Sequence, residues 1–275
     1  MPTVAEKRRT FRTLHERGCF VMPNPWDVGS TRYLQSLGFK ALATTSAGAA
    51  WSLGYADSDL PRDLMLDHIR TVVEASDLPV NADFRNGFAD APEAVAANVR
   101  LCVATGVAGI SIEDQIPGTN TLYDFDLSVD RVRAARQAID ASGGDTLLVA
   151  RTECFVVGHP EPLKETIRRL VAFSEAGGDC LYAPHVKTRE LIAEVIAAVA
   201  PKPVNVLAIG LRGLTVADLA GLGARRISTG GALARTAWTG FLRASREIAG
   251  EGAFTSLDTA ASGGEIDGLF ARNGR

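Results

Sequence analysis

VAGISIEDQ (107–115) and TLLVARTEC (146–154) are apolar runs that each stop on charged groups. Upstream, LPVNADFRNG (78–87) and KALATTSAG (40–48) behave alike, ending near Asp83 and Ser46. A parallel strand buried on both faces reads as a continuous Val/Ile/Leu/Ala run. When several such strands end in Ser, Asp, Glu or Arg, those side chains converge on one mouth. An eight-fold β/α barrel builds its active site there.

Outward from these four, further strand candidates lie near 19–23, 179–184, 203–208 and 225–229, which makes eight with 40–45, 79–84, 108–113 and 146–151. Helical patterns fill the gaps at 30–38, 61–76, 91–106, 128–142, 162–177, 188–200 and 215–223. Several repeat apolar residues at helical spacing and end in Gly, as a helix C-terminus prefers. Strands alternating with such helices predict parallel βαβ units. The expected fold is an α/β class (β/α)8 TIM barrel. No linker or low-complexity segment divides residues 1–275, so one domain is expected, with a C-terminal helical extension over about 236–275. Trp238 and Phe241 in that extension suit either an oligomer contact or burial against their own barrel.

The chain's 275 residues are close to the roughly 250 of a single β/α barrel. With 46% apolar and 22% charged residues it can bury a large core and is not of a disordered type. The net charge is −3 and the basic residues are scattered, which excludes a nucleic-acid footprint. Cys19, Cys102, Cys154 and Cys180 show no close pairing and read as reduced thiols in a cytoplasmic protein. The charged N-terminus has no apolar signal-peptide core, and no run reaches the roughly 18 apolar residues of a membrane span.

Residues i and i+2 of a strand share a face. Asp83 is followed in this way by Arg85, and Arg151 by Glu153, while Asp114 adjoins Glu113. Three carboxylates and an arginine at one mouth suit a hard divalent cation and an anionic substrate. His15 and His68 sit in helical patterns and read as packing or surface residues. His159 and His185 follow the fifth and sixth strands, where either could act as a general acid or base. Asn205 ends the seventh strand, in a substrate or a turn role. Cys154 reads as packing.

The phrases NPWDVGSTRYLQSLGFKALATTSAG (24–48), LGYADSD (53–59), PVNADFRNGF (79–88), GVAGISIEDQ (106–115), VARTECF (149–155) and PVNVLA…LGARRISTGGALAR (203–235) together carry a resemblance. Over about residues 10–245 the chain resembles the isocitrate lyase/phosphoenolpyruvate mutase superfamily. The resemblance implies a Mg²⁺-dependent barrel, with Mn²⁺ as the alternative. Its chemistry makes or breaks C–C or P–C bonds beside an α-oxo-carboxylate. Asp83 then resembles the principal metal carboxylate, Glu113 a carboxylate holding metal-bound water, and Asp57 an outer carboxylate. Ser46, with the backbone of Ala47 and Gly48, resembles the substrate-carboxylate site, and Arg151 the arginine that contacts the oxo-acid. Ser46, Glu113 and Arg151 are the catalytic candidates. Asn120, Asn205 and His185 are further substrate-binding candidates. The resemblance also implies a homo-oligomer, a dimer or tetramer.

Two departures bear on the reaction. The family commonly has a second acid where this chain has Arg85. That cation could weaken metal binding, replace part of the metal's charge, or turn outward into a salt bridge. The loop IPGTNTLYDF (116–125) lacks the K-[KR]-C-G-H cysteine of isocitrate and methylisocitrate lyases. It also lacks the lysine of the mutase K-T-N, although Thr119 and Asn120 persist. The leading expectation is a lyase or decarboxylase acting on a small α-oxo or 2-hydroxy di- or tricarboxylate through a pyruvate-enolate-like species. A P–C bond enzyme and a non-catalytic carboxylate-binding barrel are the alternatives.

Overall fold

The computed structural model describes residues 1–271. Eight strands run β1 (Phe20–Met22), β2 (Leu42–Ala43), β3 (Val80–Asp83), β4 (Gly109–Glu113), β5 (Leu147–Arg151), β6 (Cys180–Tyr182), β7 (Val204–Leu207) and β8 (Arg226–Ser228). All observed pairs are parallel, in the order β1-β8-β7-β6-β5-β4-β3-β2. The β1–β2 seam lacks a regular ladder and is stitched at its C-terminal end. Ala43 N donates to Pro23 O at 3.1 Å, and Asn24 Nδ2 to Thr44 O at 2.8 Å. The result is a TIM barrel.

Helix α1 (Val4–Glu16) precedes the barrel. After β1 comes α2 (Val28–Ser36). A short α3 (Ser46–Ser52) and then α4 (Arg62–Ala75) follow β2. The remaining strands lead in turn into α5 (Pro92–Val103), α6 (Phe125–Ala141), α7 (Pro162–Glu175), α8 (Arg189–Val199), α9 (Val216–Gly221) and α10 (Ala232–Glu251). The last helix is α11 (Gly263–Ala271). All eight expected strands are present, trimmed by one or more residues. Glycines end several helices as expected. Gly177, after α7, has φ of +106°, and a Cβ there would come within 2.5 Å of Arg136 Cγ. Only glycine fits that position.

The strands separate two cores. Their outward residues, such as Leu42, Val80, Ile110, Leu148 and Ile227, join Ile69, Val99 and Leu170 of the helices in one apolar layer. Their inward residues form smaller clusters. Phe20, Met22, Ala43 and Leu147 pack on Phe11 of α1, while Val149, Cys180, Tyr182 and Leu207 lie elsewhere along the axis. Helix α1 was not read from the sequence as a distinct element. It is fixed by a Thr3/Glu6 capping box and closes the N-terminal end of the barrel. A Cβ on Gly109 would lie 2.7 Å from Phe11 Cε1, so glycine in β4 makes room for the plug. Burying the Phe11 ring is worth about 2 kcal/mol. The basic residues of this segment serve as anchors. Lys7 Nζ donates to Val73 O at 3.3 Å and Arg8 Nη2 to Val103 O at 2.9 Å.

Helix α10 buries only Ala234 and leaves Phe241 61% exposed. The extension is therefore not packed into its own barrel along α10. Helix α11 does return, with Phe270 beside Gly29 of α2. Residues 272–275 of the expected extension lie outside the described residues. Among the described residues no helix is long and apolar enough to cross a membrane.

Candidate active site

The C-terminal ends of β3, β4 and β5 bring Asp83, Glu113 and Arg151 together. Arg151 Nη1 lies 3.4 Å from Asp83 Oδ1 and 3.2 Å from Glu113 Oε2, and its Nε pairs with Glu153 Oε1. The parallel register explains the meeting, because Glu113 and Arg151 are direct neighbours on β4 and β5. Its Nη2 makes no hydrogen bond among the described residues. The guanidinium lies 5.0 Å from the centre of the Tyr182 ring.

Ser46 opens α3, and its backbone N donates to Asp83 Oδ2 at 2.9 Å. Asp57 sits in a single turn over Asp57–Asp59, where the Ser46 side chain works against the rise of its carboxyl pKa. Of the backbone amides that the resemblance assigned to substrate, Gly48 N is directed to Thr45 Oγ1 at 3.3 Å. Gly48 is tightly enclosed, since a Cβ would lie 2.8 Å from Trp26 Cβ.

This cluster holds more negative than positive charge. Burial pushes Glu113 up to about 8. Arg151 opposes that shift, while Glu153, Asp83 and Asp57 reinforce it. Desolvation, and then Asp83, raise Asp57. Burial likewise raises Glu153, whose Oε2 is buried without a partner. Burial works against the charge of Arg151, but Glu113 and Glu153 outweigh it and hold the guanidinium protonated. Asp114 braces these residues from behind. It accepts from Glu153 N at 2.8 Å and from Thr152 Oγ1 at 2.7 Å, and it pairs with Arg169 at 3.1 Å.

Four carboxylates (Asp57, Asp83, Glu113 and Glu153) facing one guanidinium fit a hard cation by charge and by donor type. Among the described residues no three His, Cys, Asp or Glu converge as a ready set of direct ligands. The fit is therefore to Mg²⁺, which keeps much of its water and takes one or two carboxylates. Asp83 would hold it, with Glu113 and Asp57 at its water shell.

Other expected residues fall elsewhere. Arg85 does not turn outward into a salt bridge. It is buried, with φ of +48°; its Nη1 donates to Ser58 O at 3.1 Å, and it lies over the Phe88 ring. Its cation thus clasps the turn that carries Asp57. Asn120 does not join the cluster. The loop folds back on itself through Ile116 N to Thr121 O at 2.9 Å, which leaves Asn120 exposed at the tip. His185 is exposed after β6 with φ of +65°. Partial desolvation, Lys187 and Arg151 lower its pKa. His159 accepts at Nδ1 from Glu161 N and stays local. Asn205 is buried inside the barrel, bound to Arg226 and Ser228. It lines the same axial cavity as Asp83 and Arg151. The inward Arg226 was missed, since a charged residue opening a strand reads as solvent-facing.

The family model described as phosphoenolpyruvate phosphomutase matches residues 11–249. A crystal structure from Burkholderia cenocepacia J2315, provisionally described as a lyase/mutase, is 47% identical. It superposes with a TM-score of 0.90 over 98% of this chain and 96% of that one. A 2,3-dimethylmalate lyase structure is 28% identical, with a TM-score of 0.84 over 99% of this chain and 96% of the other. The structure of oxaloacetate acetylhydrolase with its product oxalate is 26% identical, with a TM-score of 0.83 over 98% of each chain. The acid-and-arginine mouth and these likenesses lead to one assignment: the chain belongs to the isocitrate lyase/phosphoenolpyruvate mutase superfamily, a group of carbon–carbon lyases and mutases, and is an enzyme of that kind.

Proposed function

We propose that the chain is a Mg²⁺-dependent lyase or decarboxylase acting on a small α-oxo or 2-hydroxy di- or tricarboxylate. The observation that carries this reading is Arg151, held by Asp83, Glu113 and Glu153 with its Nη2 uncommitted, beside the Ser46 amide. Arg151 would present Nη2 to a substrate carboxylate or oxo oxygen. Ser46 and the start of α3 would orient the carboxylate end. A divalent cation held at Asp83 would supply Lewis-acid withdrawal of charge from the developing enolate. In an α-oxo substrate the breaking C–C bond passes its electron pair into an enolate whose charge rests on the oxo oxygen. In a 2-hydroxy substrate the hydroxyl gives up its proton, its oxygen becomes the new carbonyl, and the pair passes to the carbon beside the other fragment's carboxylate. In both cases the carbon that gains the pair later takes a proton. The loop over 116–125 offers no cysteine, lysine or histidine for that proton. Direct expulsion of CO₂ or an oxo-acid suits such a loop.

A P–C bond reaction is the second reading. It is favoured by Arg85, a buried cation at the mouth with no carboxylate partner among the described residues. The exposed apolar face of α10, with Phe241 and Leu242, supports a homo-oligomer, either dimer or tetramer. Four free thiols support a reducing, cytoplasmic setting. On this reading the chain is one domain that binds neither nucleic acid nor membrane.

Calorimetric titration with oxalate, a mimic of the pyruvate enolate, tests the proposal. Tight binding with Mg²⁺ and none after chelation is the expected result, to be followed by a screen of oxo-acids for pyruvate release. Binding that ignores the metal, or no binding at all, would overturn it.

A further inference from the structure

Arg226 projects from β8 into the barrel and is 1% exposed. Its Nε donates to Asn205 Oδ1 at 2.9 Å. Its Nη1 lies 3.4 Å from Asn81 Oδ1 and 3.5 Å from His15 Nε2. All three acceptors are uncharged. His15 Nδ1 sits 2.8 Å from Phe11 O, which can only accept, so Nδ1 carries the ring proton and Nε2 is a bare acceptor. Burial, and then the charge of Arg226, push His15 down to about 3 and keep it neutral. Buried Arg151 and Arg169, by contrast, each face carboxylates. Among the described residues none pairs with Arg226, and its Nη2 has no partner.

Arg226 lines an axial cavity with about 30 Å³ of room, enough for one water-sized particle. Three hydroxyls around this cavity are turned toward donation. Asn81 Nδ2 donates to Ser111 Oγ, Asn205 Nδ2 to Ser228 Oγ, and Asp83 N to Thr44 Oγ1, each at 2.9 Å. With these oxygens already accepting, their hydroxyl hydrogens remain for the cavity. Asp83, the carboxylate in this lining, is held by Arg151 Nη1 at 3.4 Å and by the Ser46 amide at 2.9 Å. Arg226 and these hydroxyls have no carboxylate among their hydrogen-bond partners in the described residues, so the buried cation lacks a bonded counter-charge.

We propose that this cavity binds a small monovalent anion of chloride size, held by Arg226 Nη2 and the hydroxyls of Thr44, Ser111 and Ser228. The cavity is shared with Asp83 and Arg151, and the proposal does not depend on which substrate the mouth takes.

Crystals grown in sodium bromide test it by anomalous scattering. The expected result is a bromide peak on the barrel axis within hydrogen-bonding reach of Arg226. Density without anomalous signal would mean water and overturn the proposal. In solution, the melting temperature should rise with bromide or chloride but not with sulfate at matched ionic strength. Arg226→Met, close in length and uncharged, should lose that halide dependence. An unchanged dependence in this variant would also overturn the proposal. If the variant does not fold, the wild-type bromide peak decides alone.

Discussion

The outer and inner faces of the same eight strands follow opposite rules. On β4, Ile110 faces outward into a continuous apolar layer, while Ser111, the next residue, faces inward among Asn81 and Arg226. The outer layer needs only volume and apolarity, so it is uniform around the barrel. The inner column changes character along its length. It is aromatic at the plug, polar at mid-height and charged at the mouth. The outer face holds the barrel together, and the inner face holds groups that cost free energy to bury.

If that contrast is right, the largest effect comes from the inner face. Arg151→Met strips the counter-charge from Asp83, Glu113 and Glu153. It should destabilise the protein by about 3–5 kcal/mol in denaturant unfolding and abolish oxalate binding. A loss under about 1 kcal/mol would show that the carboxylates neutralise themselves by taking up protons. On the outer face, Ile110→Ala should cost about 3 kcal/mol by cavity formation and leave ligand binding intact. A binding defect in that variant would blur the division between the faces.

Acidification separates the faces in another way. Burial holds His15 at about 3 and His68, in α4, at about 4. The native protein keeps both neutral, while an unfolded chain protonates them near 6.5. The histidine contribution is therefore flat above that value and falls as pH drops from 6.5 toward 3, while Glu113, raised to about 8, works the other way and gains stability as pH drops from 8 toward 4.5. For His15 alone the loss at pH 5 is about 2 kcal/mol. Denaturant curves of wild type and His15→Asn from pH 7 to 4 check this, because Glu113 acts in both and their difference isolates the His15 loss. The smallest effect belongs to Ser111→Ala, which removes one inward hydrogen bond at a cost of about 1 kcal/mol. A cost like that of Ile110→Ala would mean that the polar column is as integral to stability as the apolar layer.

The outer face was the legible one. Strands covered on both sides leave unbroken apolar runs, so all eight were found, and with them the strand ends Asp83, Glu113 and Arg151. Ser46 and Asp57 came from resemblance, because no periodicity links a helix start to a distant turn. The inner column left no pattern. Arg226 was not singled out, and Phe11 lies among basic residues whose tips reach backbone carbonyls. Asn120 was placed by a three-residue likeness, but the fold-back of its loop, which sequence spacing does not reveal, points it outward.

One side chain, Asn24, spans the seam between β1 and β2, which lacks a regular ladder. Its Oδ1 accepts from Thr229 N and Gly230 N, each at 2.9 Å, while its Nδ2 reaches Thr44 O across the gap. A cylinder closed this way has a zip line. Its first breathing motion is expected to part β1 from β2, exchanging the Ala43 amide for deuterium well before those of β4 and β5.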